Sequence, residues 1–300
     1  MTGEFGTPFR GALFSLSAGI LWGIVPLYIK FIGASDPYEI VAQRAFWSAL
    51  FLLVICGVGG ELPVVWRLMR DPKVALKFLV TTGFLTLNWS IYVYAVQSGQ
   101  LVAAALGYFM YPLCTVVLGM FLLGERLDRW AWLAVGLVSL GVLAKAAMIM
   151  DVPWVSLMLA GSFSLYAVLR KRMNQDPTQG LFVETLMLLP FVIGFFVWMA
   201  STGRPLFFGG GAVNLGLAVT AGIITVVPLI LFHKGNRALS MTTASLIFYA
   251  NPTTQLLIGT FLFGEYFDGN DLIAFAFIWA GIAVYFSTRK RIARVPAPNV

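Results

Sequence analysis

PLCTVVLGMFLLGERLD (residues 112–128) and PTTQLLIGTFLFGEYFD (residues 252–268) align without a gap when the chain is shifted by 140 positions. Pro112 falls on Pro252, Gly119 on Gly259, Phe121-Leu122 on Phe261-Leu262, Gly124-Glu125 on Gly264-Glu265 and Asp128 on Asp268. Further out, the same shift lays Gly141 on Gly281 and Asp36-Pro37 on Asp176-Pro177. Apolar helices match one another cheaply, but hydrophobicity does not explain coincident Pro, Gly-Glu and Asp. A fixed-period self-similarity of this kind marks a repeat architecture. The chain divides into two copies of one unit, residues 1–150 and 151–300.

What each copy is made of follows from composition. Apolar residues are 59% of the 300 and charged residues 11%, against about 25% charged in a soluble domain. Bilayers accept helices of about 20 apolar residues. Ten such spans are predicted, at 11–32, 37–59, 75–97, 99–123, 129–149, 153–172, 180–201, 214–234, 240–263 and 269–288. The Glu61–Lys77 stretch, mixing Trp66 and Leu68 with Arg67, Arg70 and Lys73, reads as an interfacial segment. The first span is long enough to remain as a helix instead of serving as a cleaved leader.

The net charge of +7 orients these spans. With the N-terminus inside, sixteen Lys and Arg fall in inner segments. Only Lys30, Lys145 and Arg204 fall outside, and Arg44 lies within a helix. That bias puts both termini in the cytoplasm. It also removes the nucleic-acid reading of a basic chain, because no basic stripe sits on a soluble element. Five helices per copy is an odd number, so the second copy enters the membrane upside down. Inverted repeats let two halves exchange conformations around a central site. The expected fold is all-α integral membrane, ten transmembrane helices in two inverted five-helix repeats.

Finer motifs carry a family resemblance: Trp22-Gly23-Ile24-Val25-Pro26, Arg44 with Trp47-Ser48, Asn88-Trp89, Leu106-Gly107-Tyr108-Phe109 before Pro112, and Leu123-Gly124-Glu125-Arg126. Further along come Glu184-Thr185 with Leu188-Leu189-Pro190, the run from Ala221 to Pro228, and Phe275-Ala276-Phe277-Ile278-Trp279. Over nearly its whole length the chain resembles the drug/metabolite transporter superfamily with EamA-type repeats, in its RarD branch. The resemblance implies a multi-pass permease or exporter of small metabolites in the bacterial inner membrane. Amino-acid exporters, some for aromatic amino acids, belong to the same superfamily. A monomer suffices for such a body, with an oligomer left open.

Polar groups inside a bilayer are costly and each needs an account. Arg44, two turns into the second span, is a docking point for a substrate carboxylate or a lock between helices. Glu184 is its repeat counterpart, entering from the other side; it could bind an amine, carry a proton, or serve as a structural partner. Together they would suit a zwitterion, one charge near each end of a cavity. Glu39 is a second candidate proton carrier. Asn88 and Tyr92, Tyr108 and Tyr111, and Asn251 and Gln255 are pairs at helical spacing, lining a pathway or bonding helices together. Trp22 belongs with them, and Tyr249 nearly matches Tyr108 under the shift.

Pro26, Pro112, Pro190, Pro228 and Pro252 each free the carbonyl four residues earlier, as hinges or as static kinks. Glu125 and Glu265 follow helix-ending glycines and read as caps of the next turn. His233 reads as an interface residue, and Cys56 and Cys114 as small hydrophobes. No phosphate-binding loop is present, and one histidine with two separated cysteines offers no zinc set or catalytic triad. No metal or cofactor is expected. The rival functions are a drug exporter or lipid-linked flippase of the same superfamily, a membrane enzyme and a passive channel.

Overall fold

The computed structural model describes residues 8–32, 36–98, 100–147, 154–262, 264 and 269–292. Among them every regular element is helical: α1 (Pro8–Ile32), α2 (Pro37–Val58), α3 (Leu62–Arg70), α4 (Pro72–Gln97), α5 (Leu101–Leu123), α6 (Arg129–Ala146), α7 (Trp154–Met173), α8 (Pro177–Ser201), α9 (Ala212–Ala238), α10 (Met241–Ile247), α11 (Ala250–Leu262) and α12 (Gly269–Ile292), with one 3-10 turn at Phe207–Gly209. Six of them, α1, α2, α4, α5, α8 and α9, are long and apolar enough to cross a membrane. α6 and α12 hold shorter apolar segments, and α7 ends in the polar run Arg170-Lys171-Arg172. The predicted interfacial stretch forms α3, which buries Val65 and lays Arg70 over the Trp66 ring at 4.8 Å.

Equivalent residues start and stop equivalent helices. Asp36 and Asp176 each accept a backbone N–H two residues on, from Tyr38 and Thr178, both at 2.8 Å. Each is followed by a proline in the first helical turn, where no donor is required. Gly124 and Gly264 both take the left-handed conformation, φ 68° and 66°, which a side chain disfavours and a helix C-terminus exploits.

The packing repeats under the same shift. A methyl group at Gly141 of α6 would meet Ala274 O and Ile278 Cγ1 of α12, and one at Gly281 would meet Ala134 O and Val138 Cγ2 of α6. Ala134 and Ala274 are counterparts, as are Val138 and Ile278. Elsewhere a residue touches its own counterpart: the Tyr249 hydroxyl donates to the Phe109 carbonyl at 2.9 Å. The halves interleave: α1 packs on α9 and α11, and α7 packs on α4 and α5. Small residues allow the close approach, with Gly235 against Ser15 and Gly19 against Ala250.

Two details differ from expectation. The predicted ninth span is broken at Phe248–Tyr249, between α10 and α11. Pro252 has no N–H to give Phe248, and the tighter turn supplies the N–H of Asn251 at 2.9 Å instead. Pro26, Pro112, Pro190 and Pro228 lie inside continuous helices. Second, Glu125 does not cap its own next turn. Asp128 does that, accepting from Trp130 N and Ala131 N. Glu125 instead reaches the other half and accepts from the start of α10: Met241 N, Thr242 N and Thr242 Oγ1. Glu265 lies outside the described residues.

Candidate functional site

A cavity of about 280 Å³ lies inside the helix bundle. Its walls come from the C-terminal parts of α1 and α4 and the N-terminal parts of α2 and α5: Trp22, Val25 and Pro26; Asn88, Trp89 and Tyr92; Val41 and Arg44; Ala104, Ala105 and Tyr108. It therefore occupies the half of the bundle nearest the α1–α2 and α4–α5 connections. Asn251 and Gln255 of α11 close one flank, four residues apart on a single face.

Among the described residues Arg44 is the only charged side chain on the lining. Its Nε donates to Thr225 Oγ1 at 2.9 Å, and its guanidinium lies over the Trp89 ring at 5.2 Å. Among the described residues no carboxylate pairs with it. Such a guanidinium, oriented by one bond and one ring, leaves its two terminal nitrogens for a planar anion. Tyr92 and Tyr108 stand beside it with ring centroids 6.1 Å apart. Asn88 commits its amide nitrogen to α7, donating to Leu159 O at 3.0 Å and Ser162 Oγ at 3.1 Å. Gln255 donates to Asn251 Oδ1 at 2.8 Å.

The floor is aromatic. Trp22 meets Phe163, Phe232 and Phe248 with centroids 5.9, 5.5 and 5.5 Å apart, and Tyr111 packs beneath on Phe163 and Phe248 at 5.0 and 5.3 Å. These are edge-to-face and tilted arrangements that favour rigid packing over water. The floor separates the cavity from the opposite half of the bundle.

Of the site residues read from sequence, the structure brings Trp22, Arg44, Asn88, Tyr92, Tyr108, Asn251 and Gln255 together on the lining, with Pro26. Tyr111 and Tyr249, each 1% exposed, lie behind it. Tyr108 has Phe248 as its counterpart under the shift, and that residue does line the cavity; Tyr249 is one position out of register. Glu184 does not share the cavity with Arg44. It has no exposed surface and is held by Arg170 (Nε to Oε1, 3.2 Å), the Thr81 hydroxyl (2.6 Å) and the Tyr166 hydroxyl (3.0 Å).

Burial explains the separation: a carboxylate shut away from water needs a cation and hydrogen bonds around it, and α7 supplies Arg170 and Tyr166 while α4 supplies Thr81. Arg170 was hidden in a basic run read as topology. No signal in the sequence singles it out; in the structure it packs so closely on Gly180 that any methyl group there would strike the guanidinium. His233 is buried, not interfacial, with Nε2 2.8 Å from the Tyr166 hydroxyl. Glu39 anchors the turn after α8 by accepting from Phe207 N, and it also accepts from Gln43 Nε2 one turn on in its own helix.

A multi-pass helical membrane body that encloses a ligand-sized cavity, lined by aromatic rings, amides and one guanidinium, has the form of a small-molecule carrier. The model of the EamA-like transporter family matches the chain twice, over residues 9–144 and 152–287. An uncharacterized transporter of Pseudomonas aeruginosa is 40% identical over 97% of this chain and 98% of its own length. Protein RarD of Escherichia coli is 32% identical over 92% and 93%. A solved crystal structure overlays with a TM-score of 0.71 at 19% identity, covering 94% of this chain and 98% of that one; at that identity it speaks for the fold alone. The chain belongs to the EamA-like family of the drug/metabolite transporter superfamily and carries two EamA repeats.

Proposed function

We propose that this transporter exports small carboxylate-bearing metabolites, amino acids first, across the bacterial inner membrane by alternating access. The observation that carries this reading is a cavity whose only charge among the described residues is the Arg44 guanidinium, with no carboxylate among them paired to it and aromatic walls around it. A carboxylate would meet the terminal nitrogens of Arg44. The amide oxygens of Asn88 and Gln255 and the faces of Trp22 and Trp89 would receive an ammonium group. Pockets for drug-sized ligands run to about 300–1,000 Å³, so a cavity of about 280 Å³ suits a metabolite of amino-acid size with an apolar or aromatic side chain.

In this reading ten spans form two inverted five-helix units, residues 1–150 and 151–300, with α10 and α11 together making the ninth span and α3 lying on the inner surface. Both termini are cytoplasmic, the cavity opens outward, and one copy suffices. The two-fold packing of α6 on α12 supports the inversion, and the inner bias of Lys and Arg supports the orientation.

Purified protein in liposomes, preloaded and tested for counterflow against a panel of amino acids, tests the assignment. Hydrogen bonds to a charged group contribute about 1.5–3 kcal/mol, so Arg44→Gln should raise the half-saturating concentration of a transported amino acid by about 10-fold to 100-fold. Decarboxylated analogues should bind weakly to both proteins with no difference between them. Equal affinity of Arg44→Gln and the natural protein for the amino acid would remove Arg44 as the carboxylate anchor. No saturable flux of any panel member in a folded preparation would remove the assignment.

A further inference from the structure

Several wall residues of the open cavity have counterparts that are packed shut, in the aromatic floor or beyond it. Under the 140-residue shift Arg44 falls on Glu184, Tyr92 on Phe232, Asn251 on Tyr111, Gln255 on Thr115 and Ala105 on Ser245. The first of each pair lines the cavity. The second is at most 2% exposed. When two halves of this kind exchange conformations, the closed set becomes the lining of a cavity facing the other way. Glu184 is therefore enclosed in one state and presented to the opposite compartment in the other.

Its surroundings are built for a proton. Arg170 and Tyr166 face it from α7 and Thr81 from α4, and His233 of α9 stands behind Tyr166. The next charges out are Arg237 of α9 and Asp176 of α8, paired at 3.9 Å. α2 and α3 also pack on α8, and none of their described titratable groups reaches Glu184. Arg170 is 3% exposed and its Nη1 meets no acceptor, so the enclosed pair is imperfectly satisfied.

A phenol has one proton to give. While it donates to the Glu184 carboxylate, the bond to His233 must run from imidazole N–H to phenol oxygen. When Glu184 takes up a proton it can donate to the phenol oxygen, and once the imidazole has exchanged its Nε2 proton for one at Nδ1 the phenol then donates to His233 Nε2. The added proton, together with that tautomer change, reverses the chain and cancels the attraction that holds Arg170. Access is short: Thr81 also lines a groove of about 460 Å³ between α4 and α7, which Lys77 and Arg172 share.

We propose that Glu184, with Arg170, Tyr166 and His233, is a proton-binding site whose protonation releases the closed face and couples transport to a pH gradient. What is carried rests on the transport reading above; the proton step does not. Nothing around Arg44 duplicates the site, because the counterparts of Tyr166 and His233 are Pro26 and Val93. The coupling is therefore one-sided.

The test is thiol labelling of Ser245→Cys in a chain with Cys56 and Cys114 replaced by Ala. The Ser245 hydroxyl makes no hydrogen bond, so the substitution should leave the fold undisturbed; Thr115→Cys provides a second reporter. Labelling rates are normalised to the same chain unfolded in SDS at the same pH. Acid buffer should speed labelling several-fold over alkaline buffer. Glu184→Gln, a permanent stand-in for the protonated acid, should label fast in both. Tyr166→Phe, which keeps the ion pair and cuts the relay, should lose most of the pH response.

In liposomes with the membrane potential clamped, a gradient of one pH unit corresponds to about 1.4 kcal/mol, or a tenfold concentration ratio. The natural protein should accumulate substrate toward that ratio. Labelling indifferent to pH, or an unchanged pH response in Glu184→Gln, would overturn the proton site. Counterflow that persists alongside pH-indifferent labelling removes only the proton site. A silent substrate panel alongside pH-gated labelling removes only the substrate assignment.

Discussion

Substituting Gly281 by Ala probes the two-fold interface directly. The new methyl carbon would lie 2.7 Å from the Ala134 carbonyl oxygen and 2.8 Å from Val138 Cγ2 on α6. Comfortable carbon-to-oxygen contacts are about 3.3–3.6 Å, so α12 must recede from α6 by roughly half an ångström or more. A backbone carbonyl cannot swing aside as a side-chain tip can. Overpacking costs about 1–3 kcal/mol, offset by the roughly 1 kcal/mol by which Ala exceeds Gly in helix propensity. The expected net loss is about 0–2 kcal/mol, and the gap to a glycine-to-alanine change with open space around it is the full overpacking cost of about 1–3 kcal/mol.

Gly141→Ala should lose a similar amount, since its methyl would meet Ala274 O and Ile278 in the mirrored contact. Once either substitution has parted the helices, the second has little left to push against. The double variant should fall short of additivity by about 1 kcal/mol, within the range seen for contacting residues. Gly136, on the same helix with nothing near its would-be methyl group, has Ala276 as its counterpart. Gly136→Ala should be neutral or mildly stabilising. SDS titration in mixed micelles, followed by tryptophan fluorescence, measures all four. If Gly281→Ala is as stable as Gly136→Ala, or if the double variant is additive, the shared two-fold contact is wrong.

Other substitutions test other links. Gly180→Ala would drive a methyl group into the Arg170 guanidinium; it should destabilise the chain by about 1–3 kcal/mol and speed labelling at Ser245→Cys, both read on one purified sample. Tyr249→Phe removes the bond to the Phe109 carbonyl and should cost about 1 kcal/mol in the same SDS titration. Its substrate affinity should be unchanged, because Tyr249 lies behind the cavity wall.

Much of the fold is legible because the sequence signals are local. Asp-Pro opens a helix at Asp36-Pro37, Asp71-Pro72 and Asp176-Pro177 alike, and the left-handed glycines of Gly124-Glu125 and Gly264-Glu265 close α5 and α11 alike. The break at Phe248–Tyr249 is not legible, because Pro112 and Pro252 are identical signals in unlike surroundings. One sits in the interior of α5, while the other follows a turn that the Asn251 N–H completes. Helical spacing also identifies most of the cavity lining. Spacing names a helix face without saying whether that face meets space or another helix, which is why Tyr111 could not be told from Tyr108. The sequence around Glu125 reads as a local cap because nothing in its neighbourhood announces α10, whose first N–H groups arrive from the other half of the chain.

The same difficulty explains Arg44 and Glu184. Their opposite charges at equivalent positions read as two ends of one site, which requires both to be open at once. The structure gives them opposite fates: a guanidinium left unpaired on a cavity wall, and a carboxylate sealed among a cation, two hydroxyls and a histidine. In the proposed alternating-access cycle the two positions are equivalent over a cycle, and not at any one moment. Between its two states the chain would hold a ligand carboxylate on one face and a proton on the other. If both sites were open together, nothing would oblige the two occupants to alternate.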